Sequence, residues 1–406
     1  MFRHSIGFDP LNFAVLRHRD FALFLSGNAL SWLGAWMQRV SIAWLSWDLT
    51  HSTLWVGLIS LAMYSPVIVL GPLFGVLADK LDRRWHGVVV NAIQMLLAAL
   101  LFGISIAGHM RIEVLFSVCI LIGIASAAYQ PVRLSLVNDI VPRELLTQGI
   151  AVNSVVFNAS RFVGPALGGI AIASLGVAAT FAINAVTYVG VIAALWVVVL
   201  KPPVRHAVPS GFIADLTAGI RNVAAHPNIR GFMVMGAITS VIARGVLELL
   251  PVFADAVFLQ GASGLATLTS AGGIGAVLAG LTVTRFNDTS RLPRLSRRSA
   301  FIAGAILVAL GFTTNFWIGV LLVFAIAVST TFAMVSLQVA IQSAVDDRFR
   351  GRVMSLWGVI AMGGPSIGGA AIGAIAQFSG MAGVTIGCGV LGMAMAWLAG
   401  RPTSSS

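Results

Sequence analysis

Charge is scarce in this chain. Only 10% of its 406 residues are Asp, Glu, Lys or Arg, against about a quarter in a soluble domain, so a water-solvated globular surface is excluded. Cysteine is nearly missing as well. Cys119 and Cys388 sit in apolar segments far apart in sequence and read as small hydrophobes, which leaves no disulfide framework. His18, His51, His86, His109, His206 and His226 fall in loops or at helix ends without metal-ligand spacing. Met233 and Met235 are two apart and point to different helix faces, which argues against a copper relay. Nucleophile, base and acid are nowhere grouped for hydrolysis, so we expect neither an enzyme nor a metal or other cofactor. The run Gly272-Gly273-Ile274-Gly275 lacks the strand and phosphate-facing loop of a nucleotide site and reads as close helix packing.

What the chain has in abundance is apolar length. Hydrophobic residues make up 58%, and the mean hydropathy is +0.94. Twelve apolar spans can be marked at 21–47, 54–77, 87–107, 114–137, 150–175, 178–199, 229–253, 264–283, 301–312, 316–343, 353–378 and 382–398. The ninth borders an arginine-rich loop and can begin as early as Leu295. Most are close to the roughly 20 helical residues that cross about 30 Å of hydrocarbon, so an all-α integral membrane protein of twelve helices is predicted.

The net charge of +11 does not indicate nucleic acid, because the bases lie in short loops between spans. Of 25 Lys and Arg, Arg39, Arg161 and Arg244 lie inside spans and Arg111 lies in the loop after the third. The rest fall in the termini, in loops on one side, or at helix ends there. That alternation predicts a multi-pass inner-membrane (plasma-membrane) protein with both termini cytoplasmic. Residues 1–20 read as a cytoplasmic lead-in rather than a removable signal peptide.

The sequence also repeats. Gly164-Pro165-Ala166-Leu167-Gly168-Gly169 recurs as Gly364-Pro365-Ser366-Ile367-Gly368-Gly369, displaced by 200 residues. Two related six-helix bundles, 1–200 and 229–406, are predicted from it. Between them 201–228 is broken by Pro202, Pro203, Pro209 and Gly211. Within that linker Phe212, Leu216, Ile220 and Val223 recur at helical spacing, predicting a short amphipathic helix at the cytoplasmic surface.

Between the second and third spans lies Gly75-Val76-Leu77-Ala78-Asp79-Lys80-Leu81-Asp82-Arg83-Arg84. A weaker echo runs from Gly280 to Asp288 and then Arg291. This loop resembles the signature between helices two and three of the major facilitator superfamily. Gln130-Pro131-Val132-Arg133, Val141-Pro142 and Asn158-Ala159-Ser160-Arg161-Phe162-Val163-Gly164-Pro165 resemble the subgroup of enterobactin-type siderophore exporters and macrolide and related drug efflux proteins. The resemblance implies secondary transport by alternating access, with Gly75, Asp79, Arg83, Arg84, Gly164, Pro165, Gly364 and Pro365 in conformational gating. Many proton-coupled drug antiporters of the superfamily carry an embedded acid in the first or fourth helix. Here the first span offers Arg39 and the fourth no central acid, so proton antiport does not transfer by resemblance alone.

Ionisable groups at membrane mid-depth are functional candidates by default. Arg39, Arg161 and Arg244 with one carboxylate, Glu248, make the interior positive, and guanidinium groups bind carboxylate or phosphate through paired donors. We therefore expect an anionic, amphipathic or polyphenolic small-molecule substrate, bound by these arginines with Gln38, Trp36, Asn158 and Tyr129, and protons handled at Glu248. Arg244 and Glu248 stand four apart and could instead form a structural ion pair, and Arg161 could serve packing or gating. Asn28, Asn153, Asn184, Gln130 and Gln338 either bond helix to helix or line the pathway. Trp47 and Trp55 suit an outer interface belt, whereas Trp32 and Trp36 could stack on an aromatic ligand. Export is the leading expectation, with uptake of an anionic nutrient or vitamin as the alternative. A non-transporting scaffold or sensor is a further one. The expected partners are the substrate, the lipid bilayer and protons, with the protein acting as a monomer.

Overall fold

A computed structural model describes residues 14–78, 81–200, 212–283 and 291–398. Asp79 and Lys80 of the charged turn lie outside the described residues, as do residues 284–290 of its echo. The crossing helices are α1 (Arg19–Thr50), α2 (Thr53–Ala78), α3 (Arg83–Ile106), α4 (Ile112–Ile140), α5 (Leu146–Leu175) and α6 (Val177–Val197). After the linker helix α7 (Phe212–Ala225) come α8 (Pro227–Val257), α9 (Gly261–Val283), α10 (Leu292–Phe312), α11 (Phe316–Ala344), α12 (Asp347–Ser379) and α13 (Met381–Leu398). Eleven of the crossing helices are long and apolar enough to span a bilayer. The twelfth, α1, is long enough at 32 residues but carries Asn28, Gln38 and Arg39.

Two departures from the sequence reading have local causes. The ninth span is longer than 301–312: α10 begins at Leu292, and Arg294, Arg297 and Arg298 ride on its first turns, where long side chains reach the interface while their stems stay apolar. The seventh crossing is not a regular helix. It contains π-helical turns at Thr239–Ala243 and Phe253–Val257. Around Glu248 the bonding tightens to three-residue closures, Glu248 N to Gly245 O at 3.2 Å and Leu249 N to Val246 O at 3.0 Å. Pro251 lacks an N–H, and π turns recur at functional sites.

Helices pack in matched pairs. In the first half α1 packs on α5, α2 on α4 and α3 on α6; in the second α8 packs on α12, α9 on α11 and α10 on α13. The halves join through α2 on α12 and α5 on α9. The six-residue repeat builds both kinds of contact. A Cβ on Gly164 would sit 2.5 Å from Trp36 Cβ, and one on Gly364 would sit 2.6 Å from Ser240 Oγ, each within its own half. The last glycines also sit at the seam: Gly169 faces Ala266 of the other half, and Gly57 of α2 abuts the Gly369 carbonyl, while the Cβ position of Gly369 itself points at Glu248 in its own half.

The joined region runs from mid-depth to the end away from the charged turn, here the far end. Thr53 Oγ1 donates to Gly373 O at 2.6 Å, Ser52 Oγ to Gln377 Oε1 at 2.9 Å, and Trp47 Nε1 to Asp255 Oδ2 at 2.9 Å. Trp47 is therefore buried between the halves rather than in an interface belt, because Asp255 in the π-helical turn of α8 accepts its indole N–H. Trp55 stacks edge-on against Phe116. Helix α7 lies against the opposite end of α12, with Gly219 at Arg352 and Val223 packed on a cluster that includes Ile229 and Trp357.

A cation-lined chamber between the halves

Along α1, Trp36, Arg39 and Ala43 fall on one stripe, at spacings of three and four, that faces the second half. With Arg161, Phe162 and Pro165 of α5, Arg244 and Glu248 of α8, and Thr269 and Gly273 of α9 they enclose a cavity of about 210 Å³. A second cavity of about 140 Å³ shares Arg161, Phe162, Arg244 and Thr331 and adds Asn158, Gln338 and Trp357. The two are adjoining parts of one chamber, so Arg39, Arg161, Arg244, Glu248, Trp36, Asn158 and Gln338 are brought together.

Glu248 does not pair with Arg244. It accepts two bonds from Arg39 Nη2, at 2.8 and 2.7 Å, across the interface between halves. The tightened turn before Pro251 removes the regular spacing on which a four-residue pair depends. Ser60 Oγ donates to Glu248 Oε2 at 2.9 Å and lies 3.1 Å from Ser366 Oγ, so both halves share this polar node. Arg39 also donates to the Tyr64 hydroxyl, and its guanidinium carbon lies 4.4 Å from the Tyr64 ring centroid and 5.2 Å from that of Trp36.

Arg244 donates instead to Ala361 O at 3.0 Å. Arg161 lies 5.6 Å from the Trp36 ring. Among the described residues neither has a carboxylate within ion-pair distance. Two guanidinium groups from opposite halves thus face one chamber without an ion pair of their own, its one carboxylate, Glu248, being held by Arg39, and a desolvated anion between them would gain charge-assisted bonds from both.

Two expected binding residues are elsewhere. Gln38 accepts from Asn184 Nδ2 at 2.7 Å, and Tyr129 donates to Asn28 Oδ1 at 2.9 Å, both buried inside the first half. Gln38 sits one residue before Arg39, so it points toward α6 instead of the chamber. These are bonds between helices, the commoner use of such groups in membranes.

The arginines of the charged turn are both anchored locally. Arg83 donates to both Asp139 oxygens at 2.8 and 2.7 Å, and Arg84 donates to Trp196 O at 3.1 Å and Val198 O at 2.6 Å. Both arginines therefore bind within the first half. Among the described residues a Cβ added to Gly75 would meet nothing within 4 Å. Pro165 does reach across, its carbonyl 3.4 Å from Thr269 Oγ1.

Arg133 is a buried cation that the sequence marks only as part of the Gln130-Pro131-Val132-Arg133 run. Near the end of the fourth span it counts as one more base on the loop side, yet it is 5% exposed within α4. Its position four residues into a run opened by Tyr129 and Gln130, rather than beyond the span, was the available signal.

Twelve helices in paired halves around a polar chamber define a secondary transporter. A sequence profile described as "Transmembrane secretion effector" matches residues 11–403. The chain belongs to that family of major facilitators. It is 24% identical to the staphyloferrin A transporter of Staphylococcus aureus over 82% of this chain and 84% of that protein. It is 24% identical to the enterobactin exporter EntS of Escherichia coli over 90% and 87%. Identity to macrolide efflux protein A of Streptococcus pyogenes is 22% over 82% and 84%. Among solved structures, a bacterial homologue of the iron transporter ferroportin superposes with a TM-score of 0.71 at 17% identity, covering 94% of this chain and 99% of that one. The nucleoside transporter NupG gives 0.72 at 13% identity, covering 94% and 98%.

Proposed function

We propose that this transporter exports an amphipathic, anionic small molecule of siderophore-like or drug-like size across the plasma membrane by alternating access. One observation carries the reading: Arg161 and Arg244 approach a single chamber from the two halves, and no described carboxylate forms an ion pair with either. Tryptophan at the chamber wall adds an apolar, stacking surface for the rest of the cargo. Relatives named for efflux and export support the direction. By the placement of basic residues, the end that carries the charged turn and α7 faces the cytoplasm.

The Arg39–Glu248 pair is the device that couples cargo to conformation. Because it spans the halves, it holds the far end shut, and opening that end separates the two side chains. A cargo carboxylate that takes Arg39, or a proton that neutralises Glu248, weakens the pair and favours opening. In proteoliposomes with an imposed pH gradient, wild-type flux of an anionic substrate follows the gradient and Glu248→Gln flux does not. Gradient-independent flux in wild type would remove the proton from the scheme and leave the anion site standing. Deleting the transporter should raise the cellular content of its substrate; a fall would make it an importer.

A further inference from the structure

Arg133 carries a charge for which the described residues of the first half provide no ion-pair partner. Its Nε has no hydrogen-bond partner, and Nη2 makes one long contact, 3.4 Å to Gln130 Oε1. Among the described residues no carboxylate lies within ion-pair distance. What holds it is aromatic. The guanidinium carbon lies 4.5 Å from the Phe157 ring centroid and 5.1 Å from that of Trp32, and those rings meet edge to face at 5.3 Å. Stacking satisfies the face of a guanidinium and leaves its edge, which carries the donors, uncommitted.

The position of this cage gives the uncommitted edge a meaning. Trp32 lies four residues before Trp36 on the α1 stripe that lines the chamber, and Phe157 lies four before Arg161 on the matching stripe of α5. Both steps run toward the charged-turn end. An aromatic-backed guanidinium is thus repeated one turn below the first: Arg161 beside Trp36 above, Arg133 between Trp32 and Phe157 below. Four residues of helix rise about 6 Å.

We propose that Arg133 is a second anion station on the transport path, and that the cargo carries at least two anionic groups, carboxylates or their equivalent, about 6 Å apart along the path. This rests on the reading of the chamber as an anion site and sharpens it from an anion to a polyanion. In this conformation the Trp32–Phe157 pair covers the lower station, and a swing of either ring exposes the edge of Arg133 to cargo held above by Arg161.

The test uses the purified full-length transporter and two probes of equal chain length, hexanoate and adipate, which differ by one carboxylate. Wild type should bind adipate more tightly, by about tenfold, since one charge-assisted bond contributes about 1.5 kcal/mol or more. Arg133→Gln should reduce that preference to about twofold or less while leaving hexanoate affinity in place, whereas Arg161→Gln should weaken both probes. Arg133→Lys keeps the charge but loses paired donors and ring stacking, so a several-fold loss of the preference is expected there too. It decides the matter if the glutamine variant does not fold. A preference that survives in the lysine variant, or a loss of thermal stability with the preference intact, overturns the second station and makes Arg133 a structural cation. An absent preference in wild type overturns it as well. If Arg161→Gln leaves both probes unaffected while Arg133→Gln abolishes the preference, the central-chamber reading fails and the lower station stands.

Discussion

Replacing Glu248 by glutamine should shift this transporter between conformations without unfolding it. The wild-type carboxylate receives two short bonds from Arg39 and one from Ser60, and the ion-paired side chains are 18% and 19% exposed. Removing one member of a buried pair typically costs about 3–5 kcal/mol. The residual exposure and the amide oxygen that glutamine keeps reduce this to about 2–3 kcal/mol. Each half retains its own core, so the loss falls on the junction between halves. At about 1.4 kcal/mol per tenfold, the far-end-closed state should lose about 30- to 140-fold in relative population. Ser174 and Ser263 are exposed at the far end of the α5–α9 contact, about one turn beyond Gly169 and Ala266. Spin labels there, read by pulsed dipolar spectroscopy, should show a dominant short distance in wild type and a dominant long one in Glu248→Gln. The pair is also a thermodynamic cycle: Arg39→Gln alone should shift the distribution similarly, and the double variant should shift it little further. An unchanged distribution, or fully additive single effects, would refute the reasoning, because it would mean that the pair does not hold the halves together.

Other outcomes follow from the same geometry. Gly57→Ala would drive a methyl into the backbone of Gly369 and Ala370, so transport should fall at least tenfold with the purified protein still monodisperse. Gly75→Ala meets open space, and its melting temperature should match wild type within about 0.5 kcal/mol equivalent. Gln38→Leu should cost about 1 kcal/mol in stability by stranding Asn184 yet leave substrate affinity unchanged, whereas Arg161→Gln should weaken an anionic ligand at least tenfold in a binding titration. Asp139→Asn leaves Arg83 without its carboxylate at the charged-turn end and should lower the unfolding temperature measurably, with no effect on ligand affinity at the chamber.

Much of this architecture was legible in the chain itself. Apolar length and the one-sided placement of bases fix the number of helices, because hydrocarbon tolerates backbone only when each segment satisfies its own hydrogen bonds. The repeat at Gly164 and Gly364 announced paired halves, and three arginines with Glu248 announced the chamber. The same sequence misassigned Gln38, Tyr129 and Trp47, since side-chain polarity says that a partner is required but not which helix will supply it. It suggested Arg244 for Glu248 through local spacing, and the tertiary structure chose Arg39, 209 residues away. A broken turn before Pro251 and the approach of α1 decide that choice, and neither is visible in a one-dimensional pattern. Arg133 is the sharpest case. As a letter near a helix end it is one more positive loop residue; only the meeting of α1, α4 and α5 places it between two rings with an unused edge. Composition and periodicity govern what must leave water, while the crossing of helices distant in sequence governs which buried charges are neutralised and which remain free for a ligand.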